Sequence, residues 1–284
     1  MNKKDLVKIF WETIENKPSP KYLRNVVNLN PKLFIKNIKK NNAEYIMDLI
    51  LKLYSGDVLI LKKAVSKKYV NELKKKLVTF SSKNSSDFYK MTEGCPNFWR
   101  RQDENIAKKY SFKAVRDSFY FFRWNNEKFK IWKTFNDIWG CIKMLGGLNY
   151  NSYVKNTPKD IVVDRVQVVR YPENTGHTES HFHDPINQRI IISVYMSKKN
   201  KDYNNGGTYF FKRNKKKNIE NNLDIGDIGL FYSTLHHGVD KVSINKKIKS
   251  KAKNKNLFGR WWCGLYSPES NHKNKKRNTS SSLY

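Results

Sequence analysis

Ile161-Val-Val-Asp-Arg-Val-Gln-Val-Val-Arg-Tyr171 is followed by His177-Thr-Glu-Ser-His181-Phe-His183-Asp184-Pro185, and between them the two segments mark where the chain changes its period. The first is rich in β-branched residues and repeats every two positions, as a strand does. Four more segments of this kind follow at 189–196, 207–211, 227–232 and 260–266, separated by turns of Gly, Asn and Lys. Short strands at such regular spacing predict a sandwich or barrel.

Upstream of 160 the period is helical. Leu33, Phe34, Ile38, Tyr45, Ile46, Leu49, Ile50 and Leu53 recur at helix spacing over 31–54, and Gly56 closes the run. Val58-Leu-Ile-Leu61 reads as a short strand, and Ser66 as the N-cap of a helix over 67–77. A further helix is expected over 126–145, with Phe129, Trp132, Phe135, Ile138, Trp139, Ile142 and Leu145 on one face and Gly146-Gly147 as its stop. The organisation expected is a helical extension over 1–56, a main domain over 57–267 with its β-core at about 160–267, and a disordered, basic, Ser-rich tail over 268–284.

With 284 residues the chain can bury a full core, and an aromatic content of 14% argues against disorder of the whole. The formal charge of +31 suits a phosphate- or carboxylate-rich partner, but it is mostly Lys, and it also fits a genome whose codons favour Lys and Asn. Cys95, Cys141 and Cys263 are too far apart for a zinc ribbon and are odd in number, so reduced thiols in a cytoplasmic setting are expected. The N-terminus lacks the apolar region of a signal peptide, and no stretch reaches membrane-spanning length.

Five of the six histidines fall between His177 and His237. A lone His is most often a satisfied core or surface residue, but five around two strand ends form a metal-site pattern. In a strand, His181 and His183 share a face, and Asp184 points away unless the strand has ended, as Pro185 suggests. Three ligand sets therefore stay open: His181, Asp184 and His237; His181, His183 and His237; or His177, Glu179 and His237. His236 and His237 are adjacent, so only one faces inward, and His237 precedes Gly238-Val239. A face of two histidines and a carboxylate holds Fe(II) and leaves three coordination positions open. Arg260, which opens an aromatic strand, has the forked geometry that clamps a carboxylate. Gln167 and Tyr171 lie on the preceding strand, and alternation puts Gln167 on the face of Arg165. No dinucleotide, P-loop or nucleophile-elbow pattern is present.

Taken in order, Arg170-Tyr171-Pro172, the His/acid motif, Gln188–Ser197, Asn205-Gly-Gly-Thr-Tyr-Phe210, Leu223–Phe231, His237-Gly238-Val239 and Arg260 resemble the Fe(II)/2-oxoglutarate-dependent oxygenase superfamily over about 105 residues. The chain departs from it in having Phe182 and His183 where His-x-Asp is usual, and in a Lys-rich insert that stretches the gap from His237 to Arg260. The resemblance implies an α+β fold, a double-stranded β-helix (jelly-roll) core with N-terminal flanking helices. It implies Fe(II) held by His181, His237 and a third ligand, 2-oxoglutarate as co-substrate with its far carboxylate on Arg260, and O2. It implies a dioxygenase that hydroxylates a substrate, here one that the charge suggests is anionic: a small molecule, a nucleic acid or an acidic protein. Two other readings compete. A cupin-type metal enzyme would use three histidines without 2-oxoglutarate, and a basic nucleic-acid-binding protein would pair Lys with stacking aromatics.

Overall fold

The computed structural model describes residues 3–109, 112–251, 257–272 and 279–281. The N-terminal part runs α1 (Lys3–Glu15), β1 (Val26–Leu29), α2 (Pro31–Lys39), α3 (Ala43–Tyr54), β2 (Val58–Leu61), α4 (Lys67–Lys83), β3 (Phe98–Gln102), α5 (Glu104–Ala107), β4 (Ala114–Phe122) and α6 (Ile131–Leu145). Strands then dominate: β5 (Arg165–Tyr171), β6 (His177–His183), β7 (Ile190–Tyr195), β8 (Asn205–Lys212), β9 (Lys215–Asn218), β10 (Ile228–Tyr232), β11 (His237–Ser243), a short α7 (Lys246–Lys251), β12 (Arg260–Tyr266) and β13 (Thr279–Ser281).

The helical run expected over 31–54 is two helices. Asn41 takes a left-handed φ of 49°, and the Asn42 side chain caps α3 by accepting from the Tyr45 N–H at 3.2 Å. Asn tolerates both roles. The apolar period runs on through the break because both helices bury their stripes in one core. The helix opened by Ser66 continues to Lys83, and α6 starts only after Phe129 and Lys130, both at positive φ.

Strands β10, β7, β12 and β5 pair antiparallel side by side, as do β9, β8, β11 and β6. From β5 to β12 the chain passes back and forth between these two sheets, which makes the core the expected double-stranded β-helix. Strand β4 belongs to both sheets: Asp117–Phe122 pair with β5, and Ala114 and Val115 pair with β6. Strands β1 and β2 extend the first sheet beyond β10.

Alternation sets the layers. On β5, Val169 and Tyr171 face the second sheet and pack with Phe210, Phe231 and Trp262. Val166 and Val168 face the other way, into a larger core with Phe119, Trp139, Leu145 and Trp261 beneath the helices. A buried ionic knot ties α6 to this sheet. Asp164 accepts from Arg123 Nε at 2.6 Å, from Lys143 Nζ at 2.7 Å and from Ser267 Oγ at 3.1 Å. Burial pulls the Lys143 ammonium down to about 8, against the opposing charge of Asp164. Asp164→Ala strands two buried cations. It should cost about 3–5 kcal/mol, read as a lower urea midpoint at unchanged slope.

The stretch expected to begin a loose tail is bonded into the fold. Pro268 O accepts from Val163 N–H at 3.0 Å, Ser270 Oγ donates to Pro158 O at 2.7 Å, and Asn271 N–H donates to Met91 O at 2.9 Å. Polar composition suggested disorder there, but these polar groups are satisfied by backbone partners. Residues 279–281 pair with β6, and the rest of the expected tail lies outside the described residues. No helix among the described residues is long and apolar enough to cross a membrane.

Candidate metal centre

Strands β6 and β11 bring the two histidine clusters together. His237 pairs with His181, but Val239 pairs with Thr178, so two steps along β11 oppose three along β6. The extra residue is a β-bulge, and it reverses the alternation of β6. Thr178 on one side of it and His181 and His183 on the other are all buried, while Glu179 is exposed. Gly238 lets the bulged strand approach. A Cβ there would stand 2.7 Å from Thr178 O and 2.5 Å from Tyr209 Oη. Gly238→Ala should therefore open the bulge, cost about 1–3 kcal/mol and weaken Co(II) binding, which a titration of the cobalt visible bands would show.

His181, His183 and His237 converge so that one ring nitrogen of each lies within 4.8 Å of the others. Ring centroids are separated by 4.4 Å for His181 and His237, 5.1 Å for His181 and His183, and 5.3 Å for His183 and His237. Backbone carbonyls fix two of the rings: Glu179 O lies 2.9 Å from His181 Nδ1, and Leu235 O lies 2.8 Å from His237 Nδ1. Each carbonyl selects the Nδ1–H tautomer and leaves the Nε2 lone pair as the donor, an arrangement typical of metal-binding histidines. Burial pushes His237 down to about 4 and holds His181 and His183 well below their ordinary range. All three imidazoles are thus neutral at pH 7, which is the form that ligates. Phe112 stacks on His181 at 4.7 Å, and Phe231 packs edge-on to His237 at 4.7 Å.

The other expected ligands stand apart. Asp184 lies just past the end of β6, exposed, and accepts from Ile186 N–H at 3.0 Å; it lines the adjoining cavity but does not join the cluster of the three histidines. Glu179 accepts from Lys113 N–H at 2.7 Å, and His177 Nδ1 lies 2.8 Å from Thr175 O. Strict alternation would place His177, Glu179, His181 and His183 on one face, and the bulge breaks that set. His236 points the other way and stacks on Phe182 at 5.1 Å.

Arg260 sits at the start of β12, fully buried, and holds a carboxylate of this chain. Its Nε donates to Glu220 Oε1 and Oε2 at 2.9 and 3.0 Å, and its Nη2 bonds Glu220 and, at 2.7 Å, Thr208 Oγ1. Tyr203 Oη also donates to Glu220. Burial alone would raise the Glu220 carboxyl, but Arg260 and these hydrogen bonds hold it below its usual range. Tyr171 lies under the Arg260 guanidinium at 5.1 Å and shares a hydrogen bond with Thr178 Oγ1. Neither Arg260 nor Tyr171 lines the cavity beside the histidines.

That cavity encloses about 280 Å³. His181 and His183 form part of its wall, together with Gln167, Tyr266, Arg116 and Arg165. Among the described residues no Lys lines it, and β9, which carries Lys215–Lys217, is the outer edge strand of its sheet. Arg116 rides on β4, a strand the sequence reading passed over, although Ser118-Phe-Tyr-Phe-Phe122 was its aromatic signal. Trp99 and Trp132 are buried in the core beneath the helices.

No protein-family model matches the sequence, and no curated protein matches it. Solved structures resemble it in fold. A C-terminally truncated Neurospora crassa protein in apo form is 11% identical, aligned over 88% of this chain and 99% of that one with a TM-score of 0.50. The full-length form of that protein has been solved in complex with alpha-KG and thymine. A Trichoplax adhaerens prolyl hydroxylase, solved with a hypoxia inducible factor peptide fragment, is 13% identical over 81% of this chain and 91% of its own, with a TM-score of 0.48. A Pseudomonas putida prolyl-4-hydroxylase is 9% identical over 78% and 98%, with a TM-score of 0.47. At these identities the likeness concerns the fold.

Proposed function

We propose that this protein is an Fe(II)- and 2-oxoglutarate-dependent oxygenase that hydroxylates an anionic substrate. The observation that carries this reading is the convergence of His181, His183 and His237 within a double-stranded β-helix, beside a cavity that His181 and His183 line. Three neutral imidazoles on one side of a site suit a divalent first-row metal and leave positions for co-substrate and O2. The bound metal with 2-oxoglutarate would supply oxidation of a C–H bond. The chain's part is to hold the metal on three nitrogens, keep bulk water off with Phe112 and Phe231, and orient an anion along a wall that carries Arg116 and Arg165.

A second reading has a specific observation in its favour. Among the described residues no carboxylate joins the three histidines, and Arg260 is already paired with Glu220. That donor set also suits a three-His enzyme indifferent to 2-oxoglutarate. Anaerobic titration with Fe(II) and then 2-oxoglutarate separates the two. A weak visible charge-transfer band that requires both additions supports the oxygenase. Iron binding without the band supports the three-His enzyme, and no iron binding sinks both in favour of a basic binding protein.

A further inference from the structure

Two arginines face the metal-site cavity without a carboxylate partner. Arg165 and Arg116 both line it, and among the described residues no ion pair involves either. Arg165 is held like a fixed tool. Its guanidinium lies between the Tyr120 and Tyr266 rings, 5.5 Å from each centroid, and Nη2 donates to Gln167 Oε1 at 3.1 Å. Its Nε is buried with no hydrogen-bond partner. Arg116 gives its Nε to Gln102 Oε1 at 3.2 Å. Two like charges side by side on a half-buried wall oppose each other, and leaving a buried donor unbonded carries its own cost. A bidentate anion answers both at once.

Arg260, the arginine that the motif order assigned to this task, is in the opposite situation. Glu220 already occupies its fork, and Phe210, Phe231, Trp262 and Tyr171 fill the interior around it. Its Nη1 remains without a partner, but a carboxylate arriving there would lie beside that of Glu220, with mutual repulsion in a buried site.

We propose that Arg116 and Arg165 form the carboxylate-receiving subsite of the three-histidine cavity, taking a small di- or oxo-carboxylic acid, and that Arg260 does not. This rests on the reading of the cavity as a metal-dependent active site, but its test does not require turnover. Burial pulls the Arg165 guanidinium below its ordinary range, and neighbouring Arg116 adds to that effect. The charge of an incoming anion would act against that shift.

The experiment is calorimetric titration of the full-length protein with succinate and with 2-oxoglutarate, with and without Mn(II), for wild type, Arg165→Met, Arg165→Lys, Arg116→Met and Arg260→Met. Circular dichroism and urea midpoints check folding, and Co(II) bands check the metal site in the same samples. The expected result is a loss of roughly tenfold or more in affinity for both acids in each of Arg165→Met and Arg116→Met. Arg165→Lys should recover part of it, because the charge survives without the fork. Arg260→Met, where it folds, should bind the acids as wild type does.

If Mn(II) tightens 2-oxoglutarate but not succinate, the subsite receives the co-substrate, whose oxo group also reaches the metal. If Mn(II) affects neither, it receives the carboxylate of the substrate, and the subsite still stands. Acid binding that survives both methionine variants, no binding of either acid at millimolar concentration, or loss confined to folded Arg260→Met would overturn the proposal. Normal Co(II) bands alongside any of these would leave the metal site intact. Missing Co(II) bands with arginine-dependent succinate binding would instead remove the metal reading and keep the subsite.

Discussion

His237→Ala should lose Fe(II) or Co(II) binding by more than about 100-fold, because even changes to groups behind a metal ligand cost about 10–100-fold. His237 is paired with His181 across the two strands, and its ring lies between His181 and His183 on one side and Phe210 and Phe231 on the other. Removing it leaves two donors, both on β6. The same change leaves a small cavity and releases Leu235 O, for about 1–3 kcal/mol. A domain with the usual stability of about 5–15 kcal/mol survives that, so the variant should stay folded. His236→Ala is the matched control: that ring stacks on Phe182, and metal binding should be unchanged. Full cobalt affinity or 2-oxoglutarate turnover in His237→Ala would remove the site.

Arg260→Ala should chiefly destabilise the protein. It leaves Glu220 buried with its countercharge gone, a change that costs about 3–5 kcal/mol and on the order of 10 °C in melting temperature for a chain of this length. Glu220→Gln in the same background should recover much of the loss, since it removes the orphaned charge, keeps an oxygen that accepts from the Thr208 N–H, and turns an amide N–H toward the Tyr203 hydroxyl, which then accepts. That non-additivity is the signature of a coupled pair. A stable Arg260→Ala protein whose only defect is a raised 2-oxoglutarate requirement would return the carboxylate clamp to Arg260, where the motif order put it.

Five of the core strands were readable because alternation and turn chemistry are local, whereas β6, β9 and β11 were not among the expected segments. Each of the five strand segments expected after residue 160 has a counterpart in β5, β7, β8, β10 or β12. The break at Asn41 and Asn42 was not readable, since the apolar stripe crosses it unchanged. Strand β4 was not recognised either, because it serves two sheets in turn and so lacks a single pattern of inside and outside.

At the site, the sequence by itself determined which histidines were available, how far apart they lie along the chain, and that only one of His236 and His237 could face inward. It left three ligand sets open. Only the tertiary structure brings His181, His183 and His237 together, through the bulge on β6. That bulge depends on pairing with β11 and on the room left by Gly238, neither of which is encoded within the His177–Asp184 segment. The same holds for the arginines. A guanidinium at position 260 has the right chemistry for a carboxylate, but what it meets is set by the distant Glu220, which folding delivers to it. Chemistry belongs to the residue, and its partner belongs to the fold.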